Sequence, residues 1–397
     1  MQITDNEKEN RIIPFFRLAF RPFFLGGALF SIVALSVWGS FLLGGWQMAF
    51  YTNPFWWHTH EMLFGFGGAI IVGFLLTAVQ TWTGIPGVRG WQLACLFLLW
   101  LTARLGMLLV QEPTMWLTIV DLLWLPLSAV MLARPVIKAK GWRNLLFVPL
   151  LLLMAVINGQ MHYAAFQADH TLAMQAAVNG LLLITVLMLV LGGRVIPFFT
   201  SVRLGFPQPE RLRWLELMAL VPAVLVLLAK VSLVPVNSGL VAAMLLIASA
   251  ANAWRLLRWK PWLTLQEPLL WSLHLSYACI VMGLLLLALT PLIGWDDAMA
   301  LHVLAIGGMG GLILAMICRV TLGHTGRPLQ LPDRAVGFAR GLPVFSALMR
   351  SVLPELVPDL RIGFYFISIL LWILAYGTFL IFYGNMLLQK RVDGKPG

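Results

Sequence analysis

The fold turns on one stretch: His60-Glu61-Met62-Leu63-Phe64-Gly65-Phe66-Gly67-Gly68-Ala69-Ile70-Ile71-Val72-Gly73-Phe74-Leu75-Leu76-Thr77-Ala78-Val79-Gln80-Thr81-Trp82. After Glu61 the run carries no charge, and it has about the 20 residues a helix needs to cross the hydrocarbon of a bilayer. It opens on two ionisable side chains, which are costly at membrane depth and usually face a functional interior. The stretch therefore reads as a membrane span with chemistry at one end.

Similar apolar runs fill the chain. Spans are expected at roughly 22–45, 60–82, 91–110, 115–134, 144–166, 174–193, 214–234, 239–257, 266–290, 298–318, 336–354 and 362–388, with 336–354 interrupted by Arg340 and Arg350. The 397 residues are 60% hydrophobic and 11% charged. Soluble domains are about 25% charged, so a water-soluble core cannot account for this chain. The expectation is an all-α polytopic membrane protein of about twelve transmembrane helices. It forms a single transmembrane domain over 1–397, with tails at about 1–16 and 389–397. The longest loop, about 194–213, is too short to fold alone. The polar, acidic start lacks the features of a signal peptide, so the first span is expected to be retained.

The formal charge is +11, yet the basic residues sit between apolar runs. Counting alternate sides puts 23 of 27 Lys and Arg on one side, from Lys8, Arg11, Arg17 and Arg21 through to Lys390, Arg391 and Lys395. Arg104 lies within the third span, and Lys230, Arg350 and Arg361 fall toward the other side. Cytoplasmic loops collect Lys and Arg, so both termini are expected in the cytoplasm. The charge reads as topology, with the bilayer as partner and no nucleic acid. Trp46, Trp56, Trp57, Trp142 and Trp214 lie near span ends and read as interfacial anchors. Cys95, Cys279 and Cys318 show no paired spacing and read as small buried apolar residues.

Orientation sorts the seven histidines by depth. His58, His60, His162 and His302 fall in an outer group, His274 and His324 in an inner pair, and His170 in an outer loop. Imidazole suits iron and copper. An interhelical hydrogen bond is the plainer role for His162 and His170. His58 and His60 are two apart, so a single straight helix would not aim both the same way. Asp121 and Arg104 can pair across a short hairpin, which requires no chemical role. Glycines cluster at Gly65, Gly67 and Gly68 and at Gly307, Gly308, Gly310 and Gly311. Small residues allow close helix packing, and they would also admit a flat macrocycle.

Spans two and ten align without gaps, matching His60 to His302, Gly65 to Gly307 and Gly68 to Gly310. At the cytoplasmic ends Arg194 matches Arg319, and Thr200 matches Thr325. The period is four helices, three times over. A threefold repeat of four-helix units resembles the plan of haem-copper oxidase core subunits, a likeness of fold that does not establish function.

Four blocks resemble one family. They are Arg17-Leu18-Ala19-Phe20-Arg21-Pro22-Phe23-Phe24, then Trp57 to Gly65 with Gly73 to Val79 and Trp82-Thr83-Gly84, then Gly192 to Thr200, and Leu322-Gly323-His324-Thr325-Gly326-Arg327. Together they are similar to the NnrS family of bacterial membrane proteins, and the similarity runs along nearly the whole chain. The resemblance implies an inner-membrane protein containing haem and copper, tied to nitric oxide, denitrification and defence against nitrosative stress. Nitric oxide or a nitrosyl-iron species would be its small partner. It implies no settled reaction and names no ligand or electron donor.

Depth and repeat supply ligand candidates. His60 and His302 are expected at an outer haem or metal site, with His58 or His162 as a copper ligand. His274 and His324 are candidates for an inner site. Arg194, Arg319 and Arg327 could hold haem propionates through guanidinium forks, or serve as positive-inside anchors. No Cys-x-x-Cys-His attachment motif is present, so any haem b is non-covalent. The competing reading is a multi-pass transporter of a small solute or metal with a histidine-lined site.

Overall fold

The computed structural model describes residues 11–45, 49–329 and 334–395, with the side chains of 334–336 excepted. Lys8 and Trp46, used above, lie outside the described residues, as does the side chain of Arg334. The described residues form helices and connecting turns, with no strand among them.

The helices in chain order are α1 (Phe20–Leu42), α2 (Pro54–Thr83), α3 (Trp91–Leu109), α4 (Met115–Lys138), α5 (Phe147–Phe166) and α6 (His170–Leu204). They continue with α7 (Arg213–Val231), α8 (Ser238–Arg258), α9 (Pro268–Ile293), α10 (Asp297–His324), α11 (Leu342–Leu356) and α12 (Arg361–Leu388). Eleven helical segments are long and apolar enough to cross a bilayer. The remaining expected span, 336–354, is instead a short helix Arg334–Ala339, a break at Arg340-Gly341, and the 15-residue α11. Fifteen residues rise about 22 Å, short of the hydrocarbon thickness of about 30 Å. Gly341 and Pro343 explain the break, because Pro is well placed only in a helix's first turn.

The chain divides into two compact units. The first comprises Met1–Gly180, Ile317–Gln330 and Tyr376–Gly397, and the second comprises Leu181–Met316 and Leu331–Ala375. In the first unit, the start of α1 is held by side chains from elsewhere in the sequence. The Phe20 N–H donates to Thr77 Oγ1 at 2.8 Å. Arg21, fully buried, donates through Nη1 to the carbonyls of Leu387 (3.0 Å) and Gln389 (2.6 Å) at the end of α12. Arg391 donates to the His324 carbonyl at 3.1 Å, the Val392 N–H donates to the Thr325 carbonyl, and the Phe20 ring lies 5.5 Å from His324. The start of α1 and the ends of α10 and α12 thus share one end of this unit. Hydrogen bonds from Arg391 hold the Asp393 carboxyl there below its ordinary range.

In the second unit α11 and α12 are joined by a reciprocal serine pair. Ser346 Oγ donates to the Ser368 carbonyl at 2.8 Å, and Ser368 Oγ donates to the Ser346 carbonyl at 2.9 Å.

Two expectations need correction. Trp56 and Trp57 are buried rather than interfacial, with their indole N–H groups donating to the Met161 and Met107 carbonyls. Trp142 and Trp214 are exposed, as anchors would be. Cys95 is exposed, not buried, while Cys318 is buried. On a membrane span exposure faces lipid, and a small thiol is tolerated there.

If α10 and α12 each cross the bilayer, their shared end requires a further crossing between them, which falls to α11. A membrane-impermeant thiol reagent should therefore label cysteines placed at Gln389 and at Lys138 from the same side, and one at Asp359 from the opposite side. Labelling of all three from one side would exclude α11 as a crossing.

Candidate metal centre

The centre is built on the start of α2. Pro54 occupies the first turn, and Asn53 Oδ1 accepts the Trp56 N–H at 2.9 Å, a fixed N-cap. The helix is therefore already running at residue 54, which fixes the facing of the two nearby histidines. His58 stacks on Trp38 of α1, with centroids 4.4 Å apart. His60 stacks on Trp56 at 4.4 Å and is fully buried.

Immediately after His60 the backbone widens into a π-helical segment, Glu61–Gly67. Adjacent side chains of a regular α-helix point about 100° apart. Here His60 Nδ1 and Glu61 Oε1 lie 2.8 Å apart. Such π turns often occur at functional sites.

Three further helices converge on this pair. From α3, Arg104 Nη1 donates to Glu61 Oε1 at 2.9 Å, and Nη2 donates to Asp121 Oδ1 of α4. Asp121 Oδ2 accepts from Asn158 Nδ2 of α5 at 2.8 Å and lies 3.0 Å from His162 Nε2 and 3.2 Å from His60 Nε2. Asn158 Oδ1 lies 2.8 Å from His60 Nε2, and Thr118 Oγ1 lies 3.2 Å from His162 Nδ1. The phenol of Tyr51 reaches Thr118 Oγ1 at 3.4 Å, and burial raises its pKa. His60, Glu61, Arg104, Asp121, Asn158 and His162 are all at most 1% exposed, which puts the charges in a low-dielectric interior.

The neighbouring glycine serves this network. A Cβ on Gly65 would meet Phe30 at 2.7 Å and Arg104 Nη1 at 2.8 Å, and the Gly65 carbonyl accepts from Trp100 Nε1. Gly68 is packed by Trp124, Gly307 by Cys279 and Gly310 by Trp372. The glycine clusters thus serve close packing.

Charge decides what this centre can hold. Arg104 against Glu61 and Asp121 leaves one formal negative charge when both imidazoles are neutral. Burying an unbalanced charge is expensive. One added positive charge balances it, either a proton on His60, whose two ring nitrogens both face oxygens, or a monovalent metal ion, and a divalent ion would leave the site at +1. His60, Asp121 and His162 offer donor atoms that all lie within 4.8 Å of one another. The 3.0 and 3.2 Å spacings to Asp121 Oδ2 match the roughly 3 Å between adjacent donors bound to one ion at about 2.1 Å. Glu61 Oε2 is buried with no hydrogen-bond partner among the described residues. Two imidazoles and a carboxylate suit iron or copper. Trp56 and Phe64 flank the His60 ring, which leaves no face there for a macrocycle.

The other sequence candidates are dispersed. His302 heads a second π-helical segment, Val303–Gly310, as His60 heads the first. Its Nδ1 lies 2.6 Å from the Ala298 carbonyl, and Val303 stands where α2 has Glu61. His274 is buried, with Nδ1 3.0 Å from the Leu270 carbonyl and Nε2 without a partner among the described residues. His302, His274 and Arg194 belong to the second unit. In the first unit His324, Arg319 and Arg327 lie along the end of α10 and beyond it, and Arg327 reaches Gln389 at 3.4 Å. His170 is exposed, 3.3 Å from Asn53 Nδ2. Of the histidines proposed from the sequence, His60 and His162 are brought together, with ring centroids 5.2 Å apart. The Arg104–Asp121 pair expected across the hairpin is present, and Asn158 and Glu61 join it without having been singled out in the sequence. Their signal was present as charged and amide side chains inside apolar spans.

The chain matches a family model described as NnrS protein over residues 14–391. No curated protein matches it.

Removing one partner of a buried ion pair costs about 3–5 kcal/mol, because the other charge is left uncompensated. Arg104→Met should lower stability by about that much, read by thermal unfolding in detergent. Arg104→Met with Asp121→Asn should recover part of the loss. Wild-type stability in the single variant would show that the network is not charged as described.

Proposed function

Since the chain belongs to the NnrS family, we propose that it is a metal-containing membrane protein of the nitric oxide response, with copper at His60, His162 and Asp121 and non-covalent haem b elsewhere. The observation that carries the reading is the buried donor group of α2, α4 and α5 in a chain that matches this family over almost its whole length. Copper bound there would supply a redox-active ion able to bind small molecules such as nitric oxide. The chain's own groups would orient that site. Glu61 would fix the His60 ring through Nδ1 and Thr118 the His162 ring through Nδ1, as outer partners of ligating histidines commonly do, while Asn158 holds Asp121 through Nδ2. Arg104 holds both carboxylates and limits the site's negative charge.

For haem, His274 and His302 are the stronger ligand candidates. His274 has Nδ1 against the Leu270 carbonyl and Nε2 without a partner among the described residues, which points to Nε2 as its ligating atom; His302 likewise has Nδ1 against the carbonyl four residues back. Arg194, Arg319 and Arg327 remain candidates for propionate contacts.

The proposed location is a bacterial inner membrane with both termini in the cytoplasm. The one-sided distribution of Lys and Arg and the meeting of α1 with the end of α12 support this. The role is defence against nitric oxide or nitrosyl-iron species in cells that meet denitrification intermediates.

Cells lacking the protein should grow more slowly under nitric oxide challenge and normally without it. Equal growth in both conditions, with no other detoxifying enzyme present, would remove the protective role. Metal analysis of purified protein should show copper lost from His60→Ala and His162→Ala and retained in His170→Ala. The haem absorption band should be lost or shifted in His274→Ala or His302→Ala. Full copper in the first two variants would refute the α2–α4–α5 site.

A further inference from the structure

The second unit carries a separate polar site at the ends of α7 and α8. Arg255, on the last turn of α8, is 2% exposed. Its Nη1 donates to Asn252 Oδ1 at 2.9 Å and to the Tyr277 hydroxyl oxygen at 3.1 Å, and Nη2 donates to Glu216 Oε2 at 3.1 Å. Trp259 lies under the guanidinium at 5.5 Å. The group is thus rigidly aimed. Its Nε has no hydrogen-bond partner among the described residues.

The backbone makes room for this arginine. Any Cβ on Gly193 would collide with the Arg255 guanidinium, and one on Gly192 would press on Tyr277 at 3.0 Å. The Gly192-Gly193 pair singled out in the sequence therefore seats Tyr277 and Arg255.

Arg255 lines a small open recess together with Gly193, Pro197, Glu210, Arg211, Glu216 and Arg258. Arg258, three residues along the same helix face, donates through Nη2 to the Glu210 carbonyl at 2.8 Å and so holds the 209–211 segment over the recess. Three arginines against two glutamates give the lining a formal charge of +1. The recess sits at the end of two apolar spans, on the side that collects Lys and Arg, where lipid phosphates lie. A purely structural Arg255–Glu216 pair would account for one guanidinium, but not for two more around an open recess.

We propose that this recess binds a phosphate-type oxyanion, accepting N–H donors from Arg211, Arg255 and Arg258. Guanidinium forks match such oxygens in geometry and charge. The anion can be a phospholipid headgroup or free phosphate, and the test separates them.

The full-length protein, wild type and Arg211→Gln/Arg258→Gln, would be purified in mild detergent and stripped of lipid. Phosphatidylglycerol binding would be read by native mass spectrometry, and inorganic phosphate binding by calorimetry. Arg258→Gln also removes the hydrogen bond to the Glu210 carbonyl, so Arg211→Gln alone is measured beside the double variant, and its elution and melting should match the wild type. Binding of either probe by the wild type, weakened at least tenfold in the variant, supports the site. The probe that binds identifies the source. Binding of neither probe, or equal binding by wild type and variant, overturns the proposal.

Discussion

A guanidinium fixed between two carboxylates inside a bundle of apolar helices constrains everything around it. Arg104 cannot be solvated at its depth, so Glu61 and Asp121 must meet it there. Glu61 can do so because the π turn brings it beside His60. Gly65 must lack a side chain because Arg104 occupies that space. Asn158 and His162 then take the remaining lone pairs of Asp121. Helices α2 to α5 are thus keyed to one another by charge, in a setting where apolar contacts alone would let lipid-like surfaces slide.

Hydropathy and charge made the span pattern legible, because both follow from the bilayer and not from tertiary detail. The Arg340-Gly341 break was visible as a weak point, but not the shortness of α11, which depends on where helix geometry resumes at Leu342. At the site, His60 was legible through its place at the head of a span. Its partners were harder to find. Asp121, Asn158 and His162 come from hairpins whose facing is set by packing, and the π turn has no signature in hydrophobic periodicity. His60 and His302 looked interchangeable in alignment, but their neighbours differ. Glu61 gives His60 a charged neighbour in the chain, whereas the matching position after His302 is Val303.

The paired π segments show what a repeated helix can keep and what it can change. Both spans widen directly after their histidine and pack glycines against large or sulfur-bearing side chains below it. The backbone device is shared, while the residue after the histidine differs, Glu61 in one span and Val303 in the other. Arg255 repeats the same logic elsewhere, with a buried cation, a carboxylate and a glycine cleared for it.

The contact between Arg21 and the carbonyls of Leu387 and Gln389 spans 366 and 368 residues of sequence. Its consequence lies in biosynthesis. A chain inserted from its first helix onward carries Arg21 through the making of ten further helices before those acceptors exist. Until then Arg21 lacks these two acceptors, so this part of the first unit can close only once α12 is made. A change at 387–389 would thus be felt at the start of α1.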